Sequence, residues 1–175
     1  MTQEQIINLI KGGISPESRI WADLGAGSGN FTMALDSILG FDGTIFALDR
    51  KLDILRERIR TSYVRSNIHL LEADLSLAKT ILPSLDGILM ANTLHYVVDQ
   101  ASFLQEIKDL IPKGGSFILV EYDREDANQW VPYPVSFVKW QRLALQAGLS
   151  LPEEIGRIAS IYKDRQLYAA LCFLS

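Results

Sequence analysis

Apolar and polar positions fall along the chain in two alternating patterns. Short apolar runs at residues 19–23, 44–48, 67–71, 87–91 and 116–120 have the length and composition of strands. Between them, apolar residues recur with helical spacing: Phe31, Met33, Ala34, Leu35 and Ile38; Leu52, Leu55 and Ile59; Phe103, Leu104, Ile107, Leu110 and Ile111. The pattern predicts helices from the glycine turn after Asp23 to about Gly40, over 51–61, over 77–82 ahead of Pro83, and after Asp99, which can cap the last of them. Upstream, Thr2 and Gln5 read as a capping box for a short helix carrying Ile6, Ile7, Leu9 and Ile10, which Gly12-Gly13 ends.

Four strand–helix units in succession predict a doubly wound α/β fold with a mainly parallel sheet covered on both faces. The fourth strand, apolar throughout, fits burial on both sides. Beyond the fifth strand the pattern lapses at residues 124–133, a loop rich in polar residues with Trp130 and Tyr133. Val135, Val138, Leu143, Leu145 and Ala147 then predict a further helix closed by Gly148. Two extended segments, 157–162 and 166–174, joined across Lys163-Asp164-Arg165, predict an antiparallel hairpin at the end of the sheet.

Right-handed crossovers bring the C-terminal ends of parallel strands to one edge, where such folds bind ligands. Asp23, Asp49, Asp74, Asn92 and Asp123 all fall at or just past predicted strand ends, so five polar positions are expected on one rim. Between the first strand and its helix lies Asp23-Leu24-Gly25-Ala26-Gly27-Ser28-Gly29. Glycines there admit positive φ and let a ligand approach the backbone. The helix that follows opens with unpaired N–H groups.

Composition narrows the picture further. At 175 residues the chain has the size of one domain, expected to span 1–175, and 48% apolar with 22% charged residues is ordinary for a soluble globular protein. A net charge of −4 argues against nucleic acid as a partner. The basic residues Arg50, Lys51, Arg56, Arg58, Arg60 and Arg65 are expected to form a solvated helix face. The lone Cys172 sits in an apolar run and is expected in the core; no metal-ligand set is assigned. Neither a signal peptide nor a membrane span is read, which points to the cytoplasm.

In order and spacing these residues resemble the class I S-adenosylmethionine-dependent methyltransferases, particularly the compact small-molecule type, over residues 19–174. The glycine segment matches the family's acidic-x-Gly-x-Gly-x-Gly motif, Asp49 the acidic residue ending the second strand, and Asp74 the one after the third. Asn92-Thr93-Leu94-His95-Tyr96 resembles the segment after the fourth strand, and Lys113-Gly114-Gly115 the turn into the fifth. The resemblance implies a seven-stranded sheet whose last strand inserts antiparallel. It implies S-adenosyl-L-methionine as cofactor and S-adenosyl-L-homocysteine as product.

The site implied comprises Asp23, Gly25, Ala26, Gly27, Gly29, Asp49, Arg50, Asp74, Leu75 and Asn92. Asp49 would accept from the ribose hydroxyls and Asp74 from the adenine amino group. Arg50 and Leu75 would flank the ring, and Asp23 would organise the turn or reach the methionine amine. Asp49 and Asp74 read equally as helix caps. His95 stands where a general base would, and also where a residue would merely line the pocket or cap a turn; His69, within a strand, reads as structural. The loop with Trp130 and Tyr133, together with Tyr122, would cover the acceptor or pack on its own domain.

A nicotinamide-dependent oxidoreductase would need Gly-x-Gly-x-x-Gly, but the third position holds Asn30. A non-catalytic S-adenosylmethionine-binding protein or partner subunit is the alternative from another class. The acceptor is expected to be small and partly apolar, methylated at oxygen, nitrogen or carbon, because the segment after the fourth strand lacks the Asn-Pro-Pro-Tyr pattern of nucleobase enzymes and one cysteine does not suit arsenite. A partner or a second copy of the chain could complete the site.

Overall fold

The computed structural model describes residues 1–159 and 166–175. In chain order the elements are α1 (Gln3–Ile10), β1 (Ile20–Leu24), α2 (Asn30–Leu39), β2 (Thr44–Asp49), α3 (Asp53–Thr61), β3 (Asn67–Glu72), α4 (Ala78–Ile81), β4 (Gly87–Ala91), α5 (Gln100–Ile107), β5 (Ser116–Tyr122), α6 (Phe137–Ala147), β6 (Glu153–Ala159) and β7 (Gln166–Phe173). The strands form a seven-stranded sheet in the order β3-β2-β1-β4-β5-β7-β6. All neighbours from β3 to β5 run parallel, while β7 lies antiparallel between β5 and β6. The order reverses between β1 and β4, so their C-terminal ends frame a crevice.

Strand alternation sorts the core into two layers. Ala22, Leu24, Ile88, Met90, Phe117 and Leu119 pack with Leu104, Ile107 and Trp140 of α5 and α6. Trp21, Leu89, Ala91, Ile118 and Val120 pack with Ile6, Ile10, Ala34 and Leu35 of α1 and α2. Cys172 and Trp140 are fully buried. The α1 capping box is formed: Gln5 N donates to Thr2 Oγ1, and Thr2 N to Gln5 Oε1. The basic helix α3 carries its charge outward, Arg56 pairing with Asp53 and Glu72 and Arg60 with Glu57. Arg58 instead donates to Asn30 Oδ1 and Gln3 Oε1, tying α3 to the first turns of α2 and α1.

Three expectations need correction. Strand β5 continues through Glu121 to Tyr122 instead of ending at Val120. Strand β6 begins at Glu153, four residues before the apolar segment read at 157; a register shift between Glu154 and Gly156 breaks the alternation that would have marked it. In α6, Val138 and Leu145 face solvent, and Trp140, Leu143, Ala144 and Ala147 form the buried stripe. The connection at Lys163-Asp164-Arg165 and the end of the first hairpin segment lie outside the described residues.

Gly148 closes α6 in the left-handed conformation (φ 83°), and its N–H reaches the carbonyls of Ala144 and Leu145. An added Cβ meets nothing nearer than Lys108 Nζ at 3.5 Å, so Gly148→Ala carries the backbone cost alone. We expect a loss of about 1 kcal/mol, or roughly 2–4 °C in Tm, by thermal unfolding.

Candidate functional site

The segment from Gly25 to Gly29 turns directly off β1. Gly25 N and Ala26 N both donate to Leu48 O, at 2.8 and 3.1 Å, which pins the turn across the end of β2. Gly25, Gly27 and Gly29 have φ of 82°, 52° and 81°. For two of them contact adds a second reason: a Cβ on Gly25 would overlap the Thr93 side chain, and one on Gly29 would overlap Leu55. Gly27 faces open space, and its N–H donates to Asp49 Oδ2 at 2.9 Å. The other carboxylate oxygen of Asp49 accepts from Lys51 N at 3.1 Å; α3 itself is capped at Leu52 with no side-chain bond, so Asp49 braces the turn ahead of that helix and holds the glycine turn, and the helix-cap reading of it does not hold.

These groups open on a cleft of about 790 Å³ outside the ends of β1, β2 and β4. Of the residues expected at the site, Gly25, Gly27, Asp49, Arg50, Asp74, Leu75 and Asn92 line it. Asp74 is both lining and cap: Ser76 N donates to its Oδ1 at 2.9 Å, and Arg50 Nε to its Oδ2 at 2.6 Å. The bonds from Ser76, aided by Arg50, hold the Asp74 carboxyl down at about 2. Asn92 has φ 52°, alone among the described non-glycine residues in being positive, and its Oδ1 is buried without a hydrogen-bond partner.

Three expected residues stand behind the cleft. Ala26 is buried with Ala47, Leu52 and Leu55, and Gly29 caps α2 against Leu55. Asp23 lies within β1, not past its end, and its side chain is 1% exposed on the α2 face. Thr32 Oγ1 donates to its Oδ2 at 2.6 Å, while Oδ1 has no partner. Burial raises the Asp23 carboxyl to about 7 against the pull of the Thr32 hydroxyl, and the charge of Asp49 adds to the rise. Asp123, the fifth rim position, lines neither hollow; it accepts from Phe137 N and pairs with Arg157 at 2.8 Å.

A second hollow of about 700 Å³ adjoins the first through Asn92 and Tyr96, which line both. Its other walls are His95, Tyr122, Asn128, Trp130 and Val131. The loop after β5 is held over it by polar bonds. Asn128 Oδ1 accepts from Trp130 N and Val131 N at 2.8 Å each, Tyr133 N donates to His95 O at 3.0 Å, and Gln100 Nε2 bridges Leu94 O and Tyr133 O. Trp130 is 69% and Tyr96 55% exposed, so an aromatic rim faces solvent. His69 sits far off, stacked on Phe46 at the β2–β3 edge.

Sequence reasoning did not single out Thr93 or Glu121. Thr93 Oγ1 donates to Ala91 O and Gly25 O, joining the turn after β4 to the glycine turn. Glu121 is 1% exposed and binds the turn that carries His95. An acidic residue closing an otherwise apolar strand was the signal available for it.

Charge is distributed unevenly. The first cleft is lined by four carboxylates, Asp49, Asp74, Asp99 and Glu106, against one cation, Arg50. Such a surface favours a cationic ligand and repels a pyrophosphate.

A methyltransferase-domain family model matches residues 20–161. No curated protein matches the sequence significantly. Among solved structures, a 1,6-didemethyltoxoflavin-N1-methyltransferase from Burkholderia thailandensis superposes with a TM-score of 0.73 at 16% identity, over 98% of this chain and 77% of that one. A SAM-dependent methyltransferase from Aquifex aeolicus gives 0.69 at 19% over the whole of both chains. An arsenic(III) S-adenosylmethionine methyltransferase from Chlamydomonas reinhardtii gives 0.70 at 19%, over 93% of this chain; the chain spans 64% of that enzyme's length. At these identities the likeness is one of fold.

Proposed function

From the premise that the chain belongs to the methyltransferase-domain family, we propose that it is an S-adenosylmethionine-dependent enzyme that methylates a small acceptor held in the second hollow. The observation that carries this is the acidic cleft joined to an aromatic pocket through Asn92 and Tyr96. A sulfonium nucleoside is cationic and suits four carboxylates, whereas a nicotinamide dinucleotide would bring its pyrophosphate against them. The residues fit such a ligand. Asp49 has lone pairs left for two ribose hydroxyls, and the unpartnered Asn92 Oδ1 is a buried acceptor that a ligand ammonium can satisfy. Gly25 and Gly27 let the methionine portion lie against backbone. Asp74 would meet the adenine amino group, with Arg50 and Leu75 at the ring faces.

Bound there, S-adenosylmethionine supplies an electrophilic methyl group whose positive charge disperses as it leaves. The chain's part is to orient the acceptor in line with that group and to keep water away. Tyr96, at the junction of the two hollows, lies between donor and acceptor, and the loop 124–133 roofs the acceptor side. We place the whole of 1–175 in one domain on this reading. Among the described residues no helix is long and apolar enough to cross a membrane.

Titration calorimetry tests the proposal. S-adenosylmethionine and S-adenosylhomocysteine are expected to bind and NADH not to. At a hundredfold excess over its Kd the homocysteine product should add about 2.7 kcal/mol of stability, readable as a rise of roughly 5–10 °C in Tm. Binding of NADH in preference to both would overturn it.

A further inference from the structure

Outside the cleft, a buried polar contact joins Glu121 to His95. Glu121 lies in β5 and is 1% exposed; His95, in the turn after β4, is 2% exposed. Glu121 Oε1 accepts from Thr93 N at 3.1 Å and His95 N at 3.2 Å, and Oε2 stands 2.7 Å from His95 Nδ1. Backbone donors thus occupy one carboxylate oxygen and the imidazole occupies the other. Two backbone N–H donors on Oε1 favour the carboxylate form, which only accepts; with Glu121 in that form Nδ1 carries the hydrogen and Nε2 is left as the ring's proton acceptor. His95 is also one of the residues that line the second hollow.

Resting on the function proposed above, we infer that His95 is the catalytic base and Glu121 its positioning residue, and that the acceptor is a flat aromatic molecule with an acidic hydroxyl, methylated on oxygen. A neutral amine attacks without first losing a proton, but a phenol or enol oxygen is a poor nucleophile until its proton leaves. In the step, the O–H bond breaks toward His95 Nε2 and the oxygen's electron pair forms the bond to the methyl carbon. The C–S electron pair departs with sulfur, leaving a methyl ether, a sulfide and an imidazolium. Glu121 balances the imidazolium until its proton passes to solvent. Flatness follows from Tyr96, Tyr122 and Trp130 in the wall, since aromatic side chains hold planar rings by stacking. Titratable groups near the pair include Tyr96 on the same turn, Tyr133, whose N–H donates to His95 O, Tyr122 beside Glu121 and Tyr168 opposite Glu121 on β7, with Asp123 and Arg157 beyond.

The probes are 2-naphthol and 2-naphthylamine, read by imidazole ¹⁵N NMR and by methyl transfer. The chain has two histidines, and His69 serves as the internal control. We expect the His95 signals of the Nδ1–H tautomer, a shift at Nε2 on adding 2-naphthol, and loss of the fixed tautomer in Glu121→Gln. Naphthol should be methylated, with kcat about 100-fold lower in His95→Gln at nearly unchanged KM. The loss should shrink below about fivefold for 1-nitro-2-naphthol, already ionised at pH 8, because a base has nothing left to remove. His95→Gln should bind S-adenosylhomocysteine as the wild type does, since His95 does not line that cleft. If the wild type binds no S-adenosylhomocysteine, the proposed function fails. If it binds, yet 2-naphthol neither moves His95 nor is methylated, or His95→Gln methylates it at the wild-type rate, the assignment of base and acceptor is wrong.

Discussion

Asp49→Ala is expected to weaken S-adenosylhomocysteine binding about a thousandfold. The carboxylate ends β2 with each oxygen already accepting one backbone N–H, from Gly27 and from Lys51. Those bonds fix its orientation before any ligand arrives, so on the proposed binding mode the ribose hydroxyls would meet acceptors that need no reordering. Charge-assisted hydrogen bonds contribute roughly 1.5–3 kcal/mol each, and two of them come to about 4 kcal/mol, or three orders of magnitude in Kd. The substitution also releases Gly27 N, loosening the turn that shapes the cleft. Asp49→Asn keeps the shape without the charge and should lose an intermediate share. Calorimetry decides between the readings: a loss of less than about fivefold in the Ala variant would show that Asp49 only braces the two turns it bonds.

The second large effect concerns stability. Burial raises the Asp23 carboxyl to about 7, against 3.8 for the free side chain. Below that lower value both folded and unfolded chains hold the proton. Between the two values the folded chain keeps a proton that the unfolded chain has released, so this residue makes stability fall as pH rises. Above about 7 both states are ionised and the loss is complete. A difference of about three pKa units corresponds to roughly 4 kcal/mol. Asp23→Asn has no proton to lose. Its stability relative to the wild type should therefore climb by about that amount from pH 4 to pH 7 and then level off, as urea unfolding at several pH values would reveal. A difference between the two proteins that does not vary with pH would mean the carboxyl is solvated after all.

Both results turn on where the sequence pattern was sufficient and where it was not. Asp49 was legible because it follows an apolar run and precedes a helix, so its chemistry and its position agree. Asp23 had the same appearance. Its side chain faces the other way because β1 extends one residue further, to Leu24, and alternation within a strand sends Asp23 toward Thr32 on the α2 face. One residue of register separates a residue in the cleft from one beneath the helix. Glu121 was harder still, since its partners come from the turn after β4 and from Tyr168 across β7, and contacts between distant segments leave no local period in the chain. The glycine turn was easily read, yet the reason for two of its glycines is packing against Thr93 and Leu55, which spacing alone does not express.

Strand β7 lies between β5 and β6, although it follows both in the chain. During synthesis the apolar edge of β5 therefore waits without its neighbour until residue 173 has left the ribosome. An unpaired apolar edge is the surface on which nascent chains associate, and pairing across such a separation in sequence is slow. The yield of folded protein should accordingly respond to the speed of translation through α6 and β6 and to chaperones that shield strand edges, more than to the stability of the finished sheet.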